Sequence, residues 1–244
     1  VIRLRAAEEA PASWLIVDRS GGRSGPVHSG PLADALNLAE GRSTVLLLPA
    51  GDVALAEPEL PLRGGARLAQ AVPFALEEQL ASEIESMHFA VGTKSVGAAG
   101  TPVAFVARSV MDRWQTACDA AGIHPNAAYA DTAALPVSPG ACTLRLDEEL
   151  LFVRRADGVP YALDANPLAA ALDLALGDGA DAAENVVFFA SPAEYEAHRD
   201  TIEGLRSRTA TLQVKLLPDG TLPLLAPRVQ SDAGVNLLQG PYAA

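Results

Sequence analysis

Aromatic side chains make up only 5% of these 244 residues, and the chain carries two cysteines, two methionines and two tryptophans. Its hydrophobic share of 49% therefore rests on Ala, Leu and Val, which predicts an aliphatic, globular core. Two cysteines without a CxxC pair suggest neither a disulfide framework nor a zinc site. Cys118 falls in a helical pattern and Cys142 in a strand pattern, and both read as reduced core residues. Basic charge is also scarce: 18 Lys and Arg face 30 Asp and Glu, a net charge of -12 that disfavours nucleic acid and anionic lipid. No window approaches the ~20 apolar residues of a membrane span, and VIRLRAAEEA lacks the apolar stretch of a signal peptide. The expectation is a soluble cytoplasmic piece, one that fits within a longer protein.

Catalytic signatures are missing as well. There is no GK[ST] phosphate loop. His28, His88, His124 and His198 are scattered without HExxH or another ligand spacing, so no metal or other cofactor is expected. Gly177, Gly179 and Ala182 match GxGxxA but follow a helix, where a dinucleotide fingerprint must follow a strand. Gly22, Arg23, Ser24 and Gly25 suggest a nucleophile elbow until Pro26 replaces the final glycine. Asp131 and Asp164 stand in turn-like contexts and read as caps or solvated carboxylates. The acidic series from Asp173 to Glu184 reads as the solvated end of a helix.

What is present is an order of elements. VIRLR, SWLIVDR and VHSG read as a three-stranded meander, PLADALNLAEG as a short helix and TVLLLP as a buried strand. DVALAEPEL is a strand that Pro58 confines to an edge or bulge. The following helix carries Leu68, Val72, Ala75, Leu76 and Leu80 at helical spacing, with Pro73 kinking it or marking a restart. SMHFAVG and PVAFVAR are strands, SVMDRWQTACDAAG is a helix ending at Gly122, and IHPNAAYA is a strand. After ALPVSPG the order begins again: ACTLRL, ELLFVRR and VPYAL as strands, NPLAAALDLALG as a helix, ENVVFFA as a strand, SPAEYEAHRDTIEGLRSR as a helix, TLQVKLL as a strand and LPLLAPRVQSDA as a last helix.

A meander followed by alternating helices and strands, seen twice, is the order of two tandem ribonuclease H-like lobes, the α/β actin-like architecture. The blocks LLLPAGDVALAEPELP, AQAVPFALEEQLASEIESMHFAVG, AAGIHPNAAYADTAALP and VNLLQGPYA closely resemble the cytoplasmic part of the type II secretion system protein L family. The resemblance covers nearly all of the chain. It implies a first lobe over 1–49 and 96–137, a small inserted α+β subdomain over 50–95, a second lobe over 138–231 and a membrane-proximal tail over 232–244. It further implies a single-pass protein of the bacterial inner membrane, whose cytoplasmic face binds the N-terminal domain of the secretion ATPase, protein E. Other inner-membrane platform proteins and a second copy of the chain are the remaining expected partners.

An active actin-like ATPase needs an Asp-x-Gly turn between the first two strands of each lobe, because backbone N–H groups must approach phosphate. Asp18, Arg19, Ser20 and Gly21 have the wrong spacing, and Asp147, Glu148 and Glu149 place extra carboxylates where a triphosphate would sit. Both turns read as disabled, so a scaffold without enzymatic activity is expected; the alternative is a nucleotide-regulated actin-like switch. GVNLLQGPY, 234–242, resembles the Asn-Leu-Leu motif with which the N protein of type IV pili binds its actin-like partner. By that analogy Asn236 bonds to backbone while Leu237 and Leu238 fill pockets, against the plain alternative of a terminal linker. Two further surfaces could receive the ATPase: the acidic helix with Glu77, Glu78, Glu83 and Glu85, and the second meander with Arg145, Arg154 and Arg155. Trp114 and Tyr195 are candidate anchors at spacings that also suit a core.

Overall fold

The computed structural model describes residues 1–6, 10–60, 65–94, 98–177, 184–230 and 234–243. The chain forms two compact units, Val1–Ala134 with Ala226–Ala244, and Leu135–Leu225.

In the first unit the short helical segment Leu32–Ala39 follows β1 (Ile2–Arg3), β2 (Ala12–Val17) and β3 (Arg23–Gly30) and precedes β4 (Val45–Leu48). Then come β5 (Val53–Ala56), the helix Ala66–Leu76, β6 (Met87–Val91), β7 (Val103–Ala107), the helix Arg108–Ala120 and β8 (Ala127–Ala130). The five-stranded sheet has the order β3-β2-β1-β4-β8, with β1, β2 and β3 antiparallel and β4 and β8 parallel to β1. A separate antiparallel sheet, β5-β7-β6, occupies the inserted region. The second unit repeats the scheme with β9 (Cys142–Asp147), β10 (Leu150–Arg154), β11 (Tyr161–Asp164), the helix Leu168–Leu176, β12 (Asn185–Ala190) and β13 (Thr211–Leu216). Its sheet order, β11-β10-β9-β12-β13, is the same order counted from its own first strand, with the same directions. The fold is thus the double ribonuclease H-like arrangement with an inserted α+β piece, but that piece takes in β7, which pairs with β5 and β6 and which the expected bounds of 50–95 leave to the first lobe.

Alternation fixes which side chains go inward. In β6 only His88 and Ala90 are buried, the period of two expected for a half-covered strand. Central strands β7 and β9 are covered on both faces, so they read as nearly continuous buried runs. The helix Arg108–Ala120 sends Met111, Trp114 and Cys118 into the first core, and Gly122, at φ +69°, supplies the left-handed residue that ends it. Cys118 and Cys142 are both buried and free, and burial pushes each thiol up to about 11.

Several expectations need correction. Pro58 lies beyond β5, where its carbonyl accepts from Thr101 N. The helix after Gly65 runs through Pro73 but stops at Leu76, so Leu80 lies past its end, and Glu83 and Glu85 belong to a separate region around the turn Ile84–Ser86. Carboxylates at Glu77 and Glu78 oppose the negative end of the helix dipole, a reason to leave the α conformation there. The expected helix over 191–208 breaks at His198 into Pro192–Ala197 and Arg199–Gly204. Gly179 and Ala182 lie outside the described residues.

Candidate functional site

Strand edges leave N–H and C=O groups open unless something covers them. β8 and β6 are each the last strand of their sheet, and the segment 234–243 satisfies both. At β8, Leu237 N donates to Ala128 O at 2.8 Å, and Ala128 N donates to Asn236 Oδ1 at 2.9 Å. The same Asn236 oxygen accepts from Leu238 N at 3.1 Å, which fixes the amide's orientation. At β6, Val91 N donates to Gln239 Oε1 and Gln239 Nε2 donates to Val91 O, each at 3.1 Å. Two side-chain amides thus stand in for neighbouring strands, one at each sheet.

Apolar burial accompanies these bonds. Leu237 is 0% exposed, and Val235 and Tyr242 join it in the first unit's core, while Leu238 is half-buried against that core. His88 Nε2 lies 2.8 Å from Leu237 O, and a carbonyl can only accept, so this nitrogen carries the hydrogen. Burial holds the imidazole below its usual range, against the pull of that hydrogen bond. The Tyr242 ring meets His88 edge-on at 4.8 Å, and its hydroxyl donates to Asp112 Oδ1 at 2.7 Å. Burial, then the Asp112 bond, pushes the phenol up to about 12, so it remains a donor through the physiological range. Beside the segment is a cavity of about 360 Å³ bordered by Leu46, Leu48, Trp114, Cys118, Leu238 and Tyr242.

The turns that would hold phosphate are differently arranged than expected. In the second unit 147–150 does join the first two strands, but its groups are already engaged internally. Arg145, 2% exposed on β9, donates to Glu194 Oε2 at 2.7 Å, to Thr221 Oγ1 and to Asp147 Oδ1. Thr221 Oγ1 donates to Asp147 Oδ1 at 2.5 Å, and Glu148 N donates to Glu194 Oε1 at 2.9 Å. A carboxylate of the chain therefore sits on the turn's backbone N–H. Glu194 also closes a capping box with Ser191, which the sequence SPAE encodes locally.

In the first unit, Asp18 lies in the β2–β3 hairpin, whereas the link between the first two strands is 4–11. Asp18 Oδ1 accepts from Ser20 N, Ser20 Oγ and Gly22 N, and these bonds lower its pKa. Asp131, read as a cap or a solvated group, is instead fully buried and paired with Arg3, whose Nε and Nη2 donate to Oδ2 at 3.1 and 2.8 Å. Both buried arginines stand on the first strand of their sheet, a similarity between the halves that no residue repeat announces.

Of the residues singled out from sequence, Asn236, Leu237 and Leu238 come together at β8. Glu77 and Glu78 are exposed in the turn ending the helix Ala66–Leu76. In the second unit, Arg154 ends β10, while Arg155 is half-buried and donates to Ala175 O and Glu184 Oε2. Arg145 is withdrawn into the interior and cannot be a surface anchor. Trp114 is buried, and Tyr195 packs against the second core with its hydroxyl on Glu203. His88, Gln239 and Tyr242 were not singled out, although the last two lie within GVNLLQGPY, where Gln239 follows Asn236 by three residues. Among the described residues no group of three or more His, Cys, Asp or Glu side chains is placed to hold a metal, and no helix is long and apolar enough to cross a membrane.

A family model described as type II secretion system (T2SS), protein L, matches residues 1–244. The type II secretion system protein L of Pectobacterium carotovorum is 34% identical over 159 residues, which are 62% of this chain and 36% of that relative. The chain thus spans well under half the length of this curated relative. The cytoplasmic domain of EpsL, an inner membrane component of the type II secretion system of Vibrio cholerae, superimposes with a TM-score of 0.69 at 22% identity, covering 99% of this chain and 98% of that one. A chain of the PilM-PilN type IV pilus biogenesis complex superimposes with a TM-score of 0.62 at 14% identity, covering 94% and 96%.

Proposed function

The chain belongs to the type II secretion system protein L family, and from that premise we propose that it is a non-enzymatic cytoplasmic scaffold of the inner-membrane platform, which binds the secretion ATPase, protein E, and holds it at the membrane. The observation that carries this reading is the segment 234–243, pinned by Asn236 and Gln239 across the edges of two sheets. It fixes the carboxyl-terminal stretch to the first unit, as a body that must hold its place beside a working motor requires. The internal occupation of the second phosphate turn by Glu194 supports the non-enzymatic part. An incoming anion would have to displace a carboxylate already bonded to Glu148 N and Arg145.

Calorimetric titration with the N-terminal domain of the secretion ATPase tests the proposal. Saturable binding near the micromolar range, about -8 kcal/mol, is the expected result; no heat with both proteins folded overturns it for this domain. A nucleotide-regulated switch predicts instead that Mg-ATP at 100 times its dissociation constant adds ~2.7 kcal/mol of stability. The scaffold predicts no thermal shift.

A further inference from the structure

The cavity beside the docked segment has walls of one character and a mouth of another. Leu46 and Leu48 of β4, with Met111, Trp114 and Cys118 of the helix Arg108–Ala120, supply apolar walls, each residue more than nine-tenths buried. Leu238 and Tyr242 close the cavity from the side of the segment. The mouth is marked by Gln115, Asp119 and His124, which are exposed and whose side chains make no hydrogen bond among the described residues. Among those residues Asp119 is the one carboxylate that borders the cavity, and neither Lys nor Arg does. Its charge is felt in the wall: after burial, Asp119 is the second cause that raises the Cys118 thiol. The volume of about 360 Å³ lies at the lower end of the ~300–1,000 Å³ of ligand pockets and suits a small molecule better than a peptide.

A carboxylate that meets no cation of its own chain, at the edge of an apolar space bordered by indole and phenol rings, selects for positive charge. The carboxylate supplies the opposite sign, and aromatic rings attract a cation that sheds part of its water. An anion would meet Asp119 with nothing to offset it. We propose that this cavity binds a small organic ammonium compound, with its alkyl or aryl body against Leu46, Leu48 and Trp114 and its charged end at Asp119. The site is complete only while 234–243 is docked, because Leu238 and Tyr242 form one of its walls. A ligand that binds the docked form alone lowers the undocked population by the factor 1 + [L]/Kd, and undocking releases the ligand in turn. The bound amine is thus a clasp on the carboxyl-terminal stretch, a role that does not depend on the ATPase contact proposed above.

Titration of the 244-residue chain at neutral pH tests the site, with Trp114 in the wall reporting through its emission. The probes are phenethylammonium and hexylammonium, with phenethyl alcohol and hydrocinnamate as the neutral and anionic counterparts of the first. Saturable emission changes are expected with the amines, at least tenfold tighter for phenethylammonium than for hydrocinnamate. Asp119→Asn, at an exposed position whose side chain holds nothing in place, is expected to remove that preference and leave the alcohol unaffected. At ten times the dissociation constant, hydrogen exchange of the Leu237, Ala128 and Val91 amides, which the docked segment protects, should slow about tenfold. Absence of a saturable change with either amine overturns the site. Hydrocinnamate binding as tightly as phenethylammonium, or an amine affinity that Asp119→Asn leaves unchanged, overturns the assigned charge. Saturable binding with unaltered exchange at those three amides overturns the clasp.

Discussion

Replacing Leu237 by alanine is the sharpest probe of the docked segment. The side chain is fully buried among first-unit residues, and large-to-small changes at such sites cost ~2–5 kcal/mol, the spread reflecting how far the surroundings collapse. The flanking bonds constrain that collapse, since Leu237 N and O are both engaged, by Ala128 and His88. The loss should therefore fall in the middle of the range, about 3 kcal/mol. For a chain of this size each kcal/mol shifts the melting temperature by roughly 2–4 °C, so a fall of about 6–12 °C is expected. Leu238→Ala, at a half-buried position, should cost about 1 kcal/mol or less. The assay is urea unfolding followed by fluorescence, paired with limited proteolysis after residue 230. Equal stability for Leu237→Ala and wild type, with unchanged cleavage, would refute the view that this residue anchors the segment.

Three further outcomes follow from the geometry. Burial holds His88 neutral in the folded state, so the unfolded chain takes up the proton first as pH falls; stability present above about 6.5 should decline below it, and His88→Gln should flatten that decline in melts between pH 7.5 and 5.5. Asp131→Asn should destabilise by ~3–5 kcal/mol through the stranded Arg3, while Arg3→Met with Asp131→Leu recovers most of the loss; a single-variant cost below about 1 kcal/mol in urea contradicts the pairing. Glu194→Ala should cost ~1–3 kcal/mol, and acetate should restore part of it beyond what chloride does at equal ionic strength; no difference between the salts refutes an anion position on Glu148 N and Arg145.

Strand order was legible because its signals are local: alternation, apolar runs, and Gly or Pro at the joints. Most strands of both units lie where those signals put them. Less legible were features decided by partners far along the chain. Arg3 and Asp131 are 128 positions apart, and nothing near Asp131 distinguishes a buried ion-pair partner from a cap. The Asn236 motif advertised a docking segment, but its seat depends on which strands end their sheets, a property of the assembled topology. Asp18 was assigned to the wrong turn because its turn-like Asp-Arg-Ser-Gly run outweighed strand order: it follows SWLIVDR, the second strand of the meander, and so leads into β3. The acidic run after Leu76 read as helix because its leucine spacing continues past the point where the charges disfavour it.

The two-sheet attachment of the carboxyl-terminal segment has a mechanical side. Traction applied at Ala243 meets the contacts in series: the Tyr242 hydroxyl on Asp112 first, then the Gln239 amide on Val91, then the Asn236 and Leu237 bonds to Ala128. A load entering at Ala243 therefore reaches the two sheets in turn, and the attachment yields contact by contact, with the buried Leu237 as its last hold.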